Sequence, residues 1–232
     1  MNAWQAIVFD LDDTLYPERQ YVLSGFWAVA NWAETRFGWP AQESATEMRE
    51  LFDQGVRRYV FNRWLAAHGM APTAWIPTLV GVYRSHPPRI HPYPGVRRLL
   101  ERFGASYRLG VVTDGYLEVQ QRKMAALRLD GQLQAVVYSD AFGRDAWKPS
   151  PRPFRAVLEQ LGVDAAQAIY VGDNPAKDFL GARRAGMHSV RIRHSGGMHH
   201  DVLPDDAEHA PDWEIAELGE LEQTLRAHRR AA

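Results

Sequence analysis

Five short apolar and largely β-branched runs recur along the chain: AIVF (6–9), LGVV (109–112), AVVY (135–138), AIYV (168–171) and SVRI (189–192). They read as strands buried within a sheet. Between them stand GVRRLLERFG, YLEVQQRKMAALRL, PRPFRAVLEQLG and PAKDFLGARRAG, helical in pattern and several of them closed by a glycine. Strands that alternate with helices require right-handed crossovers. The expected fold is therefore α/β, a doubly wound and mostly parallel sheet covered on both faces. The terminal DWEIAELGELEQTLRAHRR adds a last short strand and a closing amphipathic helix.

Residues 16–92 break this rhythm, with no strand pattern and three helical stretches expected at about Glu18–Phe37, Glu43–His68 and Pro72–Ser85, punctuated by FGWP and HGMAP. In HPPRIHPYPG, Pro87, Pro88, Pro92 and Pro94 cannot continue a helix, so this stretch reads as the return linker and LYPE as the outgoing one. The expected organisation is an α/β core of 1–15 and 93–232 with an all-helical insert at 16–92. An insert that leaves just after a group of acids and returns nearby is expected to lie over them as a lid.

The 232 residues, 46% of them hydrophobic, are enough for one sizeable core. A net charge of −1 offers no excess of basic groups for nucleic acid or an anionic membrane, and no run of about 18 apolar residues suits a bilayer span. Without cysteine there are no disulfides or thiolate metal sites, and no basic start precedes an apolar leader. The expectation is a cytoplasmic protein whose partner is a small molecule. The sequence leaves its oligomeric state open.

Four of the strand runs lead within a few residues into an acid: Asp10, Asp114, Asp140 and Asp173. In an open parallel sheet the carboxyl ends of the strands share one edge, where ligands bind. Asp140 has no further chemistry around it and reads as an ordinary turn residue. Asp10 and Asp12 lie two apart in extended chain, so both carboxylates can face one substrate. A carboxylate nucleophile beside a carboxyl acid/base is a working pair for phosphoryl transfer through an aspartyl-phosphate. Mg2+ takes oxygen ligands and would offset the repulsion among Asp10, Asp173 and an incoming phosphate. Of 27 basic residues only Lys123, Lys148 and Lys177 are lysines. Lys148, in WKPSPRPF, can supply a compact second positive charge. Thr113, in VVTDG, offers a hydroxyl and backbone N–H groups for phosphate oxygens.

FDLDDTL, VVTDG, WKP and YVGDNPAKD, in that order, resemble the four motifs of the haloacid dehalogenase-like superfamily, and the helical insert looks like its type I cap. The resemblance covers nearly the whole chain. It implies a Rossmann-like core, with Asp10 as nucleophile and Asp12 as general acid/base. Thr113 and Lys148 would bind the transferring phosphoryl group. Mg2+ would be held by Asp10, the Asp12 backbone carbonyl and Asp173, with Asp178 acting mainly through a metal-bound water. Asp13 would shape the turn.

The implied activity is Mg2+-dependent hydrolysis of a small phosphate monoester. Dehalogenases of the family lack an acid at the position of Asp12, and the phosphonate-cleaving branch needs a cap lysine that residues 16–92 do not contain. A sugar-phosphate mutase keeps the same acids and stays as the alternative. A phosphoaspartate signalling receiver also clusters acids with a Thr and a Lys, but in one compact domain without a long insert. For the leaving group, the insert offers Arg57, Arg58, Arg63 and Arg84 with Trp27, Trp32, Trp64 and Tyr16, most of which are expected to be packing or surface charge. His199, His200 and Asp201 sit in SGGMHHDVLPDDAEH, which reads as a solvated loop.

Overall fold

A computed structural model describes residues 4–228 of the chain. The chain forms two compact units, Met1–Glu18 with His91–Ala232, and Arg19–Ile90. The first carries a six-stranded, wholly parallel sheet in the order β3-β2-β1-β4-β5-β6. Its strands are β1 (Ala6–Phe9), β2 (Arg108–Thr113), β3 (Ala135–Tyr138), β4 (Ala168–Gly172), β5 (His188–Ile192) and β6 (Trp213–Ile215). From β1 the chain builds outward through β2 and β3, then returns to build β4, β5 and β6 on the other side. The order reverses at β1, and the crevice outside its carboxyl end is where such sheets bind ligands.

All four residues of β1 are buried, which explains its continuous apolar run. Ala6 and Val8 face one core layer with Val112, Val137, Phe154, Val157, Leu161 and Tyr170.

The helices of the second unit are α1 (Glu18–Phe37), α2 (Ala41–Asp53), α3 (Val60–Ala67) and α4 (Pro72–Ser85). The single helix expected over Glu43–His68 is thus two. Gly55 sits between them at φ 87°, a left-handed conformation that ends a helix and suits glycine. Phe26 packs against Phe52, Phe61 and Tyr83, while Trp32 and Phe37 pack on Trp75, so the aromatic residues build this unit's own core.

The remaining helices are α5 (Val96–Gly104), α6 (Leu117–Leu127), α7 (Arg152–Leu161), α8 (Asp178–Arg184) and α9 (Leu221–Ala227). In α5 the buried Val96, Leu99, Leu100 and Phe103 recur at helical spacing, and its arginines lie outward. β6 and α9 fill the terminal segment; Arg229 and Arg230, the end of the helix expected there, lie outside the described residues. No helix among the described residues is long and apolar enough to cross a membrane.

Candidate active site

The carboxyl end of β1 delivers Asp10, whose backbone N–H continues the ladder to Val171 of β4 at 2.8 Å. Its side chain is buried, and Oδ1 accepts a hydrogen bond from Lys148 Nζ at 2.8 Å. The same ammonium donates to Asp178 Oδ1 at 2.7 Å and to Tyr170 OH at 2.9 Å, so all three of its hydrogens are used. A lysine with a fully buried side chain needs this much compensation. Burial lowers the proton affinity of Lys148, but the charges of Asp10, Asp178 and Asp114 outweigh it and hold the ammonium firmly protonated.

Asp178 is fixed from both sides, because its Oδ2 accepts the Asn174 backbone N–H at 2.9 Å. Gly172 makes room for it. A Cβ there would lie 2.6 Å from Asp178 Oδ2, so the GD step at the end of β4 admits the carboxylate only because the first residue has no side chain. Asp173 comes next, and oxygens of Asp10, Asp173 and Asp178 all lie within 4.8 Å of one another. Such a buried group of three carboxylates is able to hold a metal ion.

The electrostatics carry the same message. Burial raises Asp10, the Lys148 charge lowers it and Asp178 raises it again, leaving it at about 6. Asp173 is pushed well above the ordinary carboxylate range by burial and then by Asp178 and Asp10. Burial also raises Asp178, but Lys148 and Lys177 outweigh it and keep it ionised. Asp10 Oδ2 is buried and has no hydrogen-bond partner among the described residues. All-oxygen donors, an excess of negative charge and an orphaned carboxylate oxygen fit a hard divalent cation.

Asp12 and Thr113 form a second group. Asp12 Oδ1 accepts from Lys123 Nζ at 2.7 Å and from the Tyr16 hydroxyl, and Oδ2 accepts from Gln120 Nε2 at 2.9 Å. Gln120 Nε2 also donates to Thr113 Oγ1. Burial works against the charged form of Asp12, yet Lys123 and these hydrogen bonds prevail and hold it below the usual range. The resting form of Asp12 is therefore the carboxylate.

The other acids have defined structural tasks. Asp13, at φ 50°, accepts the backbone N–H of Glu18 at 2.7 Å and of Met198 at 2.8 Å. Asp114 accepts from Ser139 and from the Lys148 backbone N–H at 3.1 Å, which fixes the start of the WKP segment. Asp140 holds the Leu117 N–H and the Trp147 indole, in keeping with its reading as a turn residue.

Several partners escaped the sequence reading. Lys123 and Lys177 join Lys148 around the acids, so every lysine of the chain serves this one region, and the scarcity of lysine among the basic residues is the sequence signal for all three. Tyr16, grouped by sequence with the insert, is fully buried in the first unit. The segment read as a solvated loop is tied down instead. Buried Arg191, the one charge inside the SVRI run, donates to the carbonyls of Asp173 (3.3 Å), His199 (2.8 Å) and Val202 (2.7 Å). His199 Nε2 lies 3.2 Å from Asn174 Nδ2. In the second unit Trp64 is buried and donates to Glu47 at 2.8 Å, and the Arg57 guanidinium stacks over Phe52. Both act there as packing.

A sequence profile of the haloacid dehalogenase-like hydrolases matches residues 7–192. The chain belongs to this family. Among the proteins it resembles is the glyceraldehyde 3-phosphate phosphatase of Methanopyrus kandleri, 32% identical over 234 residues, 96% of this chain and 97% of that one. A phosphoserine phosphatase of Thermus thermophilus is 31% identical over 83% of this chain and 72% of its own length. A haloacid dehalogenase-superfamily hydrolase of Geobacter sulfurreducens shares the fold at TM-score 0.70 over 97% of both chains, with 21% identity.

Proposed function

We propose that this chain is a cytoplasmic, Mg2+-dependent phosphatase that hydrolyses a small phosphate monoester through an aspartyl-phosphate on Asp10. The observation that carries the reading is the state of Asp10: one carboxylate oxygen anchored on Lys148, the other buried without a hydrogen bond among the described residues, in a cluster of acids that fits a divalent ion. The kinship with phosphatases of small metabolites supports the same reaction class.

Asp10 and Asp173 would hold the ion with the Asp12 backbone carbonyl, and Asp178 would act mainly through a metal-bound water. Bound there, Mg2+ supplies positive charge that offsets repulsion between the carboxylates and a phosphate dianion. In the first step an Asp10 oxygen bonds to phosphorus while the bond to the ester oxygen breaks. The departing oxygen keeps the electron pair and takes a proton from Asp12. A phosphate dianion brought beside Asp12 favours its protonated form before that transfer. In the second step Asp12 takes a proton from water as the water oxygen bonds to phosphorus, and the Asp10–phosphorus bond breaks to release phosphate. Thr113 Oγ1 already accepts from Gln120, which leaves its own O–H to donate to the phosphoryl group, while Lys148, its three hydrogens engaged by Asp10, Asp178 and Tyr170, would contribute positive charge nearby.

The test is a panel of small phosphate monoesters assayed with Mg2+ and again with EDTA. Phosphate release that needs the ion and vanishes in Asp10→Asn is expected. Turnover that survives chelation or that substitution would overturn the reading.

A further inference from the structure

Helix α6 carries Gln120 and Lys123, one turn apart, on a face turned toward the acids. Both side chains are buried, at 1% and 4% exposure, although each ends in a strongly hydrated group. Their head groups meet at Asp12: Lys123 Nζ at 2.7 Å from Oδ1 and Gln120 Nε2 at 2.9 Å from Oδ2. The Gln120 nitrogen has two hydrogens, and the second reaches Thr113 Oγ1. Turning the amide over would set its oxygen against the Asp12 carboxylate, acceptor against acceptor, so the donor orientation follows from the chemistry. With Tyr16 OH also on Oδ1, donors on both oxygens fix the rotation of the Asp12 side chain. One helical turn thus ties the carboxyl that would handle the leaving-group proton to the hydroxyl that would hold the phosphoryl group.

We propose that Gln120 and Lys123 are positioning residues that clamp Asp12 against Thr113, so that proton delivery to the leaving oxygen is set in register with the phosphoryl group. This rests on the roles given above to Asp12 and Thr113. A clamp of this kind matters in proportion to how much the leaving group needs a proton. Glycerol 3-phosphate leaves as a strongly basic alkoxide; p-nitrophenyl phosphate leaves as a weakly basic phenolate that needs none.

The experiment compares kcat/KM for these two esters, at saturating Mg2+, in wild type, Asp12→Asn, Gln120→Met, Lys123→Met and Lys123→Arg. kcat/KM reports the steps up to formation of the aspartyl-phosphate, so the later demand for a general base does not enter. A correctly placed general acid contributes about 10²–10⁴-fold, so Gln120→Met, which leaves the charge balance at Asp12 alone, is expected to lose on the order of 10²-fold with the alkyl ester and less than about fivefold with the aryl ester; Lys123→Met, which also removes the cation favouring the ionised form of Asp12, should show a smaller loss with the same selectivity for the alkyl ester. Lys123→Arg, which keeps a donor, should recover part of the alkyl-ester loss. If Lys123→Met fails to fold, Gln120→Met, neutral for neutral and of similar length, decides. Equal losses on both esters, or none on either, would overturn the clamp while leaving the phosphatase reading intact. If Asp12→Asn itself shows no selective loss on the alkyl ester, the acid role of Asp12 falls and the clamp with it.

Discussion

Lys148→Met removes the ammonium that lies between two buried carboxylates. In the native site it satisfies Asp10 Oδ1, Asp178 Oδ1 and Tyr170 OH from a side chain with no exposure to water. Methionine fills a similar volume, so packing changes little and the electrostatic loss dominates. Breaking a buried ion pair from one side costs about 3–5 kcal/mol, because the remaining charge is left uncompensated. For a chain of this size that corresponds to a fall in Tm of roughly 10 °C. The loss should also depend on pH. Asp10 already sits at about 6, above its unfolded value, because of burial, and without Lys148 it rises further. At low pH the folded variant relieves its penalty by binding protons; as pH rises those protons must leave, so the gap to wild type should widen. Thermal melts of both proteins without metal at ~pH 5 and ~pH 8 provide the assay. A variant that melts within ~2 °C of wild type at the higher pH, or a gap that narrows with rising pH, would refute the account of Lys148 as counter-ion to Asp10 and Asp178.

Mg2+ should compete with protons for the same oxygens. Burial and neighbouring acids raise Asp10 to about 6 and Asp173 well above its ordinary value. Apparent Mg2+ affinity, measured by calorimetry, should therefore fall below about pH 6, by up to about tenfold per unit for each proton displaced, and a pH-independent affinity would contradict this. Arg191→Met should leave the carbonyls of Asp173, His199 and Val202 without their donor. A loss of about 3 kcal/mol in urea unfolding and faster amide exchange across residues 198–202 are expected. Unchanged exchange there would show that the guanidinium does not hold the segment.

Much of the sheet was legible because its strands are short and parallel, and the central ones, β1 and β4, are buried on both faces. AIVF and AVVY match β1 and β3 residue for residue, and the other runs fall within one or two residues of their strands. The break in the second helical stretch is faint in LFDQGVRRYV, where a single glycine marks the point at which α2 ends and Gly55 takes a left-handed φ of 87°. In the site, the residues carried by motif order come together: Asp10, Lys148, Asp173 and Asp178 in one cluster, Asp12 and Thr113 in the other. Gln120, Lys123 and Arg191 stand in no motif used in the reading. They reach the site by the facing of α6 and β5, a property of packing that a linear pattern carries weakly. A strongly polar side chain at a buried position was the trace they left. Tyr170 left a fainter one, a hydroxyl in a strand with no water to meet.

The central claim is that the phosphoryl group passes through Asp10. Acid-quenching the enzyme during turnover of a phosphate ester, reducing with borohydride and mapping the peptides tests this directly, because an acyl phosphate is reduced to an alcohol. The expected result is that conversion at residue 10, in a yield that follows Mg2+ and is absent from Asp10→Asn. Turnover with residue 10 always recovered as aspartate, or with the converted side chain elsewhere, would contradict it.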